Sequence, residues 1–286
     1  MIVIDFSQVM LSNIMVQLGN HTNAQVDENM CRHMVLNSIR MYKTKFGPEY
    51  GKMVIAYDAT NYWRRQLFPY YKANRKKSQA ASELDWKAIF ECLNKIRDEL
   101  TEYFPYVTIR IDTAEADDII GTLCKEYGNT NEKILIISGD KDFQQLQRFM
   151  NVKQYNPVMK KFITCNDPDR FLKEHIIKGD SGDGIPNFLS DDNSLVTGVR
   201  QKPITQKKLD SWVNKNPEEF CDSMTQLRNY KRNQQLIDLN MIPDEVYARV
   251  IESYVSQLEK KASPGLMNYF ITNRLKNLME NMNEFV

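Results

Sequence analysis

Five aspartates in this chain each follow a short apolar run. Asp5 follows Ile2-Val3-Ile4, Asp58 follows Met53–Tyr57, Asp112 follows Val107–Ile111, and Asp140 and Asp142 follow Ile134–Ile137. Glu115-Ala-Asp117-Asp118 comes directly after Asp112. Apolar, β-branched runs of this length read as buried strands of a parallel sheet. Open α/β sheets bind ligands beyond the carboxyl ends of their strands, so acids remote in sequence converge at one edge. Carboxylates gathered in such number call for divalent cations, and an all-oxygen donor set suits Mg²⁺ or Mn²⁺. Two such ions roughly 4 Å apart activate a water and stabilise the leaving oxygen of a phosphodiester.

A lone aspartate at a strand end is ordinarily a cap or turn residue. Here the acids exceed what capping needs. Glu115 and Asp118 are three residues apart at a helix start and share a face, where the helix dipole favours negative charge. Ser138-Gly-Asp140-Lys-Asp142 adds two acids at alternate positions of a tight turn. His21, His33 and His175 are scattered; they have no metal-type partners nearby and offer no obvious Ser-His-Asp or Cys-His arrangement.

A stretch from Asn61 to Ser82 carries Arg64, Arg65, Lys72, Arg75, Lys76 and Lys77 and no acid, interleaved with Tyr62, Trp63, Phe68, Tyr70 and Tyr71. Aromatics supply stacking faces and cations supply phosphate contacts, the make-up of a single-strand platform. Lys72 and Arg75, three apart, are expected to reach a phosphate from one helical face.

The elements that must hold these residues follow from pattern and punctuation. Strands are expected at about Ile2–Asp5, Met53–Tyr57, Val107–Ile111, Ile134–Ile137 and Val152–Tyr155, with Lys160–Ile163 pairing as a hairpin. Helices are expected at Ser7–Leu18, at Asp27–Phe46 with Gly47-Pro48 as its stop, at Asp85–Tyr103, after Thr113-Ala-Glu115, and briefly at Asp142–Arg148. Asn20–Asn23 reads as a polar loop. Beyond Asp167 the periodicity is mostly helical, broken by the Gly179–Pro186 loop and by polar 190–194. An α/β core with an all-α extension is expected, divided at 1–165 and 166–286, with a basic region at 59–84.

The 286 residues, 42% hydrophobic, suffice for such a core. A net charge of +1 hides a basic block beside an acidic cluster. Five widely spaced cysteines contain no C-x-x-C and read as reduced thiols of a cytoplasmic protein. No signal peptide or membrane span is expected.

Asp5, Tyr57-Asp58, Tyr71-Lys72-x-x-Arg75, Glu115-Ala-Asp117-Asp118, Ser138-Gly-Asp140-Lys-Asp142-Phe143 and Gly179-Asp180-x-x-Asp183-x-Ile185-Pro186 occur in the order of the flap endonuclease/5′–3′ exonuclease family. The chain resembles that family over about Ile2–Asn187, and more loosely to its end, nearest in pattern to the ribonuclease H group of T-even-type bacteriophages. The resemblance implies a PIN-like (resolvase-like), mostly parallel sheet flanked by helices. It also implies a helical arch and a helix–turn–helix-type DNA-binding extension. It implies two Mg²⁺ ions, with Mn²⁺ as a substitute, and removal of RNA primers and 5′ flaps during lagging-strand synthesis.

By motif position, Asp5, Asp58, Asp117 and Asp140 match first-ion ligands supported by Glu115. Asp118, Asp142, Asp180 and Asp183 match second-site residues. Lys72 matches the arch lysine that positions the scissile phosphate, and Arg75 an arch arginine that steadies transition-state charge. Arg64 and Arg65 match DNA-holding residues of the phage form. Tyr62, Tyr71, Lys76 and Lys77 join them as expected nucleic-acid contacts.

One departure stands out. The glycine-rich continuation the family usually shows after Ile-Pro is replaced by Asn187-Phe-Leu-Ser-Asp-Asp-Asn-Ser194, where Asp191 and Asp192 would repel phosphate. Arg200, Lys202, Lys207 and Lys208 are the nearby compensating cations. A monomer in the host-cell cytoplasm is expected, with RNA–DNA hybrid, 5′-flap or forked DNA as partners. Single-strand-binding protein and sliding clamp are further candidates, although no clamp-binding box is present.

Two rival readings are a haloacid-dehalogenase-type phosphatase and a non-catalytic structure-specific DNA-binding protein. The first needs Asp-x-Asp after strand one, where this chain has Asp5-Phe-Ser7. An intact acid set argues against the second.

Overall fold

The computed structural model describes residues 1–18, 27–80 and 84–286; for residues 16–18, 76–78 and 80 the backbone alone is described. The expected polar loop Asn20–Asn23 lies outside the described residues. Strands β1 (Ile2–Asp5), β2 (Met53–Tyr57), β3 (Val107–Arg110), β4 (Ile134–Ile137), β5 (Val152–Asn156) and β6 (Lys161–Ile163) form one sheet in the order β3-β2-β1-β4-β5-β6. All pairs are parallel except β5–β6, the hairpin. The order reverses at β1, whose neighbours are β2 and β4. This is the topological switch point, where such sheets open a crevice.

The helices are α1 (Phe6–Leu18), α2 (Glu28–Tyr50), α3 (Trp63–Leu67), α4 (Ala73–Ala80), α5 (Trp86–Tyr103), α6 (Ala116–Tyr127), α7 (Pro168–Lys178), α8 (Ser194–Thr197), α9 (Gln206–Trp212), α10 (Pro217–Phe220), α11 (Met224–Ile237), α12 (Asp244–Ser256), α13 (Leu266–Thr272) and α14 (Lys276–Met279). Lys141–Arg148 is a 3-10 helix, one residue longer at its start than expected.

Strand alternation sorts the core. Ile2 and Ile4 face one apolar cluster with α1, α2 and α5, while Met1 and Val3 face another with α6. The chain beyond Leu239 does not stand apart from this sheet. Val246, Val250 and Tyr254 of α12 pack with α6 on one face, and Leu266, Phe270, Leu278 and Phe285 close the other. A third cluster, from Phe68 and Tyr71 to Leu172, Ile176, Phe188, Phe220, Tyr230 and Ile237, joins the basic stretch to the extension.

Gly47-Pro48 does not stop α2, which continues to Tyr50. A proline inside a helix costs about 3 kcal/mol. Phe46 and Tyr50, both at most 6% exposed, bury two aromatic rings in that last turn, worth about 1.5–3 kcal/mol each. The Gly51 N–H then closes the helix on Gly47 O (2.8 Å) at φ 75°.

Candidate active site

The carboxyl ends of β1, β2 and β4 meet the first turn of α6. Asp5 ends β1 and is 5% exposed. Its Oδ1 accepts the Gln8 N–H (3.2 Å), and its Oδ2 accepts the Ser138 hydroxyl (3.1 Å). That hydroxyl oxygen accepts the Asp140 N–H (3.1 Å), which ties the ends of β1 and β4 together. Asp58, just past β2, accepts the Ala116 N–H at the start of α6 (2.9 Å).

Burial pushes the Asp5 carboxyl up to about 7, with the charges of Asp58 and Asp140 adding to it. Burial also drives Asp117 well above the carboxylate range, reinforced by Asp140 and Asp5 and opposed by Lys72. Asp5, Asp58, Asp117 and Asp140 are therefore one electrostatic cluster short of positive charge. Asp112 is exposed in the turn after edge strand β3 and lies outside these interactions.

A second group sits beside it. Asp140 caps the 3-10 helix by accepting the Asp142 N–H (2.9 Å). Asp180 follows Gly179, which takes φ 68° and whose added Cβ would lie 2.4 Å from Ile185 O. No L side chain fits that turn. Asp180 Oδ1 accepts the N–H groups of Gly182 (2.8 Å) and Asp183 (3.1 Å). Its Oδ2 lies 2.9 Å from His175 Nε2 and 2.8 Å from Lys141 Nζ. Burial opposes its ionisation, yet His175 and Lys141 hold its pKa well below normal.

Asp142 is pushed up to about 7 by burial, against the pull of His175 and with Asp140, Asp180 and Asp183 adding. Asp142, His175 and Asp180 present ligand atoms within 4.8 Å of one another. His175, read from sequence as having no such partners, is a buried member of the site. The only sequence signal was its place five residues before Asp180 on a helix leading into the Gly179 turn.

The third group turns the basic stretch inward. Arg64 is 2% exposed, so it cannot hold DNA as expected. Its guanidinium pairs with Glu115 (3.0 Å) and Asp118 (2.8 Å) and donates to Leu236 O (2.9 Å). Asp118 is fully buried, capped onto the Glu115 N–H (2.9 Å) and held by Trp63 Nε1 (3.0 Å). Its Oδ2 is thus engaged by protein donors and its Oδ1 by the Arg64 charge.

Tyr71 is 2% exposed and donates to Glu115 (2.8 Å) or Asp183 (3.1 Å), so its ring offers no stacking face. Lys72 is also buried. Its ammonium bonds Glu115 Oε1 and lies 3.7 Å from Asp183 Oδ2. Burial works against the Glu115 charge, but Lys72 and Arg64 hold its pKa below normal.

Lys72 and Arg75 do not share a helical face. Lys72 precedes α4, adopts φ 55°, and donates its N–H to Asp183 O (2.7 Å). A non-glycine residue in that region is strained by about 1–3 kcal/mol and is held there by its surroundings. Gly184, at φ 74° with an added Cβ 2.7 Å from Tyr70 O, lets the Asp180 loop approach this closely. Arg75 pairs with Asp183 (2.6 Å) and keeps its side chain 52% exposed.

The outward-facing cations are distributed differently. Arg65 lies over the Tyr62 ring (4.8 Å), and both are partly exposed. Arg200, Lys202, Lys207 and Lys208 are exposed around the start of α9. The side chains of Lys76 and Lys77 lie outside the described residues. Asp192 does not confront phosphate with a free charge: Arg228 (2.6 Å) and Arg232 pair with it. Those two arginines escaped the sequence reading because they come from distant α11. No helix among the described residues is long and apolar enough to cross a membrane.

Comparisons with known proteins converge on one assignment. Residues 2–175 match the family model of the 5′-3′ exonuclease N-terminal resolvase-like domain, and residues 168–285 match that of the T4 RNase H C-terminal domain. The chain is 33% identical to ribonuclease H of Enterobacteria phage T4, over 99% of this chain and 94% of that protein. It is 31% identical to flap endonuclease Xni of Shewanella pealeana, over 49% of this chain and 53% of that protein. The fold is that of the bacteriophage T5 flap endonuclease solved with DNA and metal ions, with a TM-score of 0.64 at 16% identity, covering 91% of this chain and 99% of that one. The ordered acid motifs, the resolvase-like sheet and these matches together place the chain in the 5′-3′ exonuclease family, with the C-terminal domain of the T4 RNase H group.

Proposed function

We propose that this chain is a Mg²⁺-dependent 5′-nuclease, hydrolysing phosphodiester bonds in 5′-flap or forked DNA and in RNA–DNA hybrids. Its proposed task is removal of RNA primers during phage lagging-strand replication. The observation that carries this reading is the gathering of Asp5, Asp58, Asp117 and Asp140 at the switch point, beside Asp142, Asp180 and Asp183. The donor set is carboxylate oxygen, which suits a hard divalent cation. The upward-driven carboxyls of Asp5, Asp117 and Asp142 fit a site completed by cations. Asp5, Asp58, Asp117 and Asp140 would hold one ion, and Asp142 with the Asp180–Asp183 loop a second. When bound, a pair of such ions supplies a deprotonated water and neutralises charge on the reacting phosphate.

The chain's own residues do the rest. Glu115, Arg64 and Asp118 form a buried ionic framework that fixes the start of α6, and with it Asp117. We assign Asp118 to that framework rather than to ion binding. Lys72 locks the basic stretch onto the acid rim through Glu115. Arg75, half exposed above Asp183, is placed to meet a phosphate oxygen by a charge-assisted hydrogen bond. Tyr62 and Arg65 offer an aromatic–cation surface to a single strand. Helices α7–α11 serve as the helix–turn–helix-type DNA-binding part, with Arg200, Lys202, Lys207 and Lys208 toward duplex phosphates.

The test is cleavage of 5′-labelled flap, nicked-duplex and RNA–DNA hybrid substrates with Mg²⁺ and with EDTA. Metal-dependent product from a flap or hybrid is expected. Retained binding with no cleavage under any divalent ion would leave a structure-specific binding protein instead.

A further inference from the structure

His175 is 7% exposed and lies between two acids of the proposed second-ion site. Its Nε2 is 2.9 Å from Asp180 Oδ2. Asp180 already accepts two backbone N–H groups, and a carboxylate only accepts, so Nε2 carries the proton of that bond. In the neutral ring this leaves Nδ1 as a bare lone pair. Nδ1 lies 3.4 Å from Asp142 Oδ1, and among the described residues neither atom has a hydrogen-bond partner, although both are buried. Leaving a buried polar atom unsatisfied costs about 1–3 kcal/mol, and an ionised Asp142 oxygen facing the Nδ1 lone pair adds repulsion. A cation bound by both removes the cost. A metal-ligating histidine ordinarily donates its other ring N–H to a carboxylate, which fixes tautomer and orientation. Asp180 stands in that position, and Lys141 balances its charge.

We propose that His175 Nδ1 is a direct nitrogen ligand, together with Asp142, of the second divalent ion, and that Asp180 orients its ring. The inference rests on the two-ion reading above. It makes the two sites unequal. The first is all-carboxylate, whereas the second is mixed nitrogen and oxygen, so it favours Mn²⁺ over Mg²⁺ more strongly.

The experiment loads the full, metal-stripped chain with Mn²⁺ and follows it by electron paramagnetic resonance with echo-envelope modulation. Two bound ions are expected, with ¹⁴N modulation from a coordinated imidazole that changes on ¹⁵N-histidine labelling. His175→Gln should keep one ion, lose the modulation, and weaken the second ion by about tenfold or more. His33→Gln, at an exposed position on α2, should change neither. Bound Mn²⁺ in the wild type without nitrogen modulation overturns the proposal, as does modulation that persists in His175→Gln. Should His175→Gln not fold, the labelled wild-type spectrum decides alone. Absence of any Mn²⁺ binding would remove the two-ion reading itself, a different result from ions bound through oxygen only.

Discussion

Replacing Asp5 by asparagine should make the metal-free protein more stable near neutral pH, although it removes a residue from the centre of the site. Asp5 is buried, and burial together with the charges of Asp58 and Asp140 pushes its carboxyl up to about 7, against 3.8 for a free side chain. The folded pKa is raised, so the unfolded chain ionises first as pH rises. The stability contribution of this group is whole below about pH 4 and is lost as pH climbs through about 7. At about 1.4 kcal/mol per pH unit, ionising this carboxyl at about 7 rather than near 4 corresponds to about 4 kcal/mol of strain above that pH.

Asparagine carries no charge and fills the same space. It can still accept one of the two hydrogen bonds that Asp5 accepts from Gln8 and Ser138, so about 1 kcal/mol is forfeited. A net gain of about 2–3 kcal/mol is expected in EDTA near pH 8, shrinking to about 1 kcal/mol or less near pH 5. Urea unfolding of both proteins in EDTA across that range measures it. Adding Mg²⁺ to about a thousand times Kd reverses the ranking: binding then stabilises the wild type by about 4.1 kcal/mol and the variant by much less. If Asp5→Asn were no more stable than the wild type in EDTA near pH 8, the charge-crowding account of this site would be wrong.

Other perturbations separate the remaining roles. Asp117→Asn and Asp140→Asn should each abolish Mg²⁺-dependent cleavage while leaving flap-DNA affinity within a few-fold; turnover equal to the wild type in a single-turnover assay would refute this. Arg64→Met should cost about 3–5 kcal/mol of folding stability, because Glu115 and Asp118 stay buried without their cation; a variant that unfolds like the wild type but binds DNA poorly would restore the DNA-contact role. Lys72→Ala should lower single-turnover cleavage by about 10²-fold with little change in Kd, and a pure affinity defect would count against it. Removing Lys207 and Lys208 together should flatten the slope of log K against log salt by about 0.9 for each phosphate no longer neutralised, and an unchanged slope would take duplex binding away from α9.

Much of this molecule is local, and local structure is written in adjacent residues. Short apolar runs placed β1 to β4, and Asp85 and Asp27 mark their helices because a short acceptor side chain caps the nearby N–H groups. An acid at a strand's carboxyl end needs only sheet topology to reach the crevice, so the Asp5, Asp58 and Asp140 set could be named from the chain alone. Which cations face outward could not. Arg64, Tyr71 and Lys72 have the composition of a nucleic-acid surface, but Glu115, Asp118 and Asp183 from later in the chain draw them inside, because a buried carboxylate is tolerable only beside a fixed positive charge or donor. The same holds for His175, whose meaning depends on Asp142 and Asp180 folding around it, and for α12 to α14, which return to cover the sheet. Periodicity records that a face is apolar; the partner that buries it, or the charge that satisfies a buried ion, is chosen only when distant segments meet.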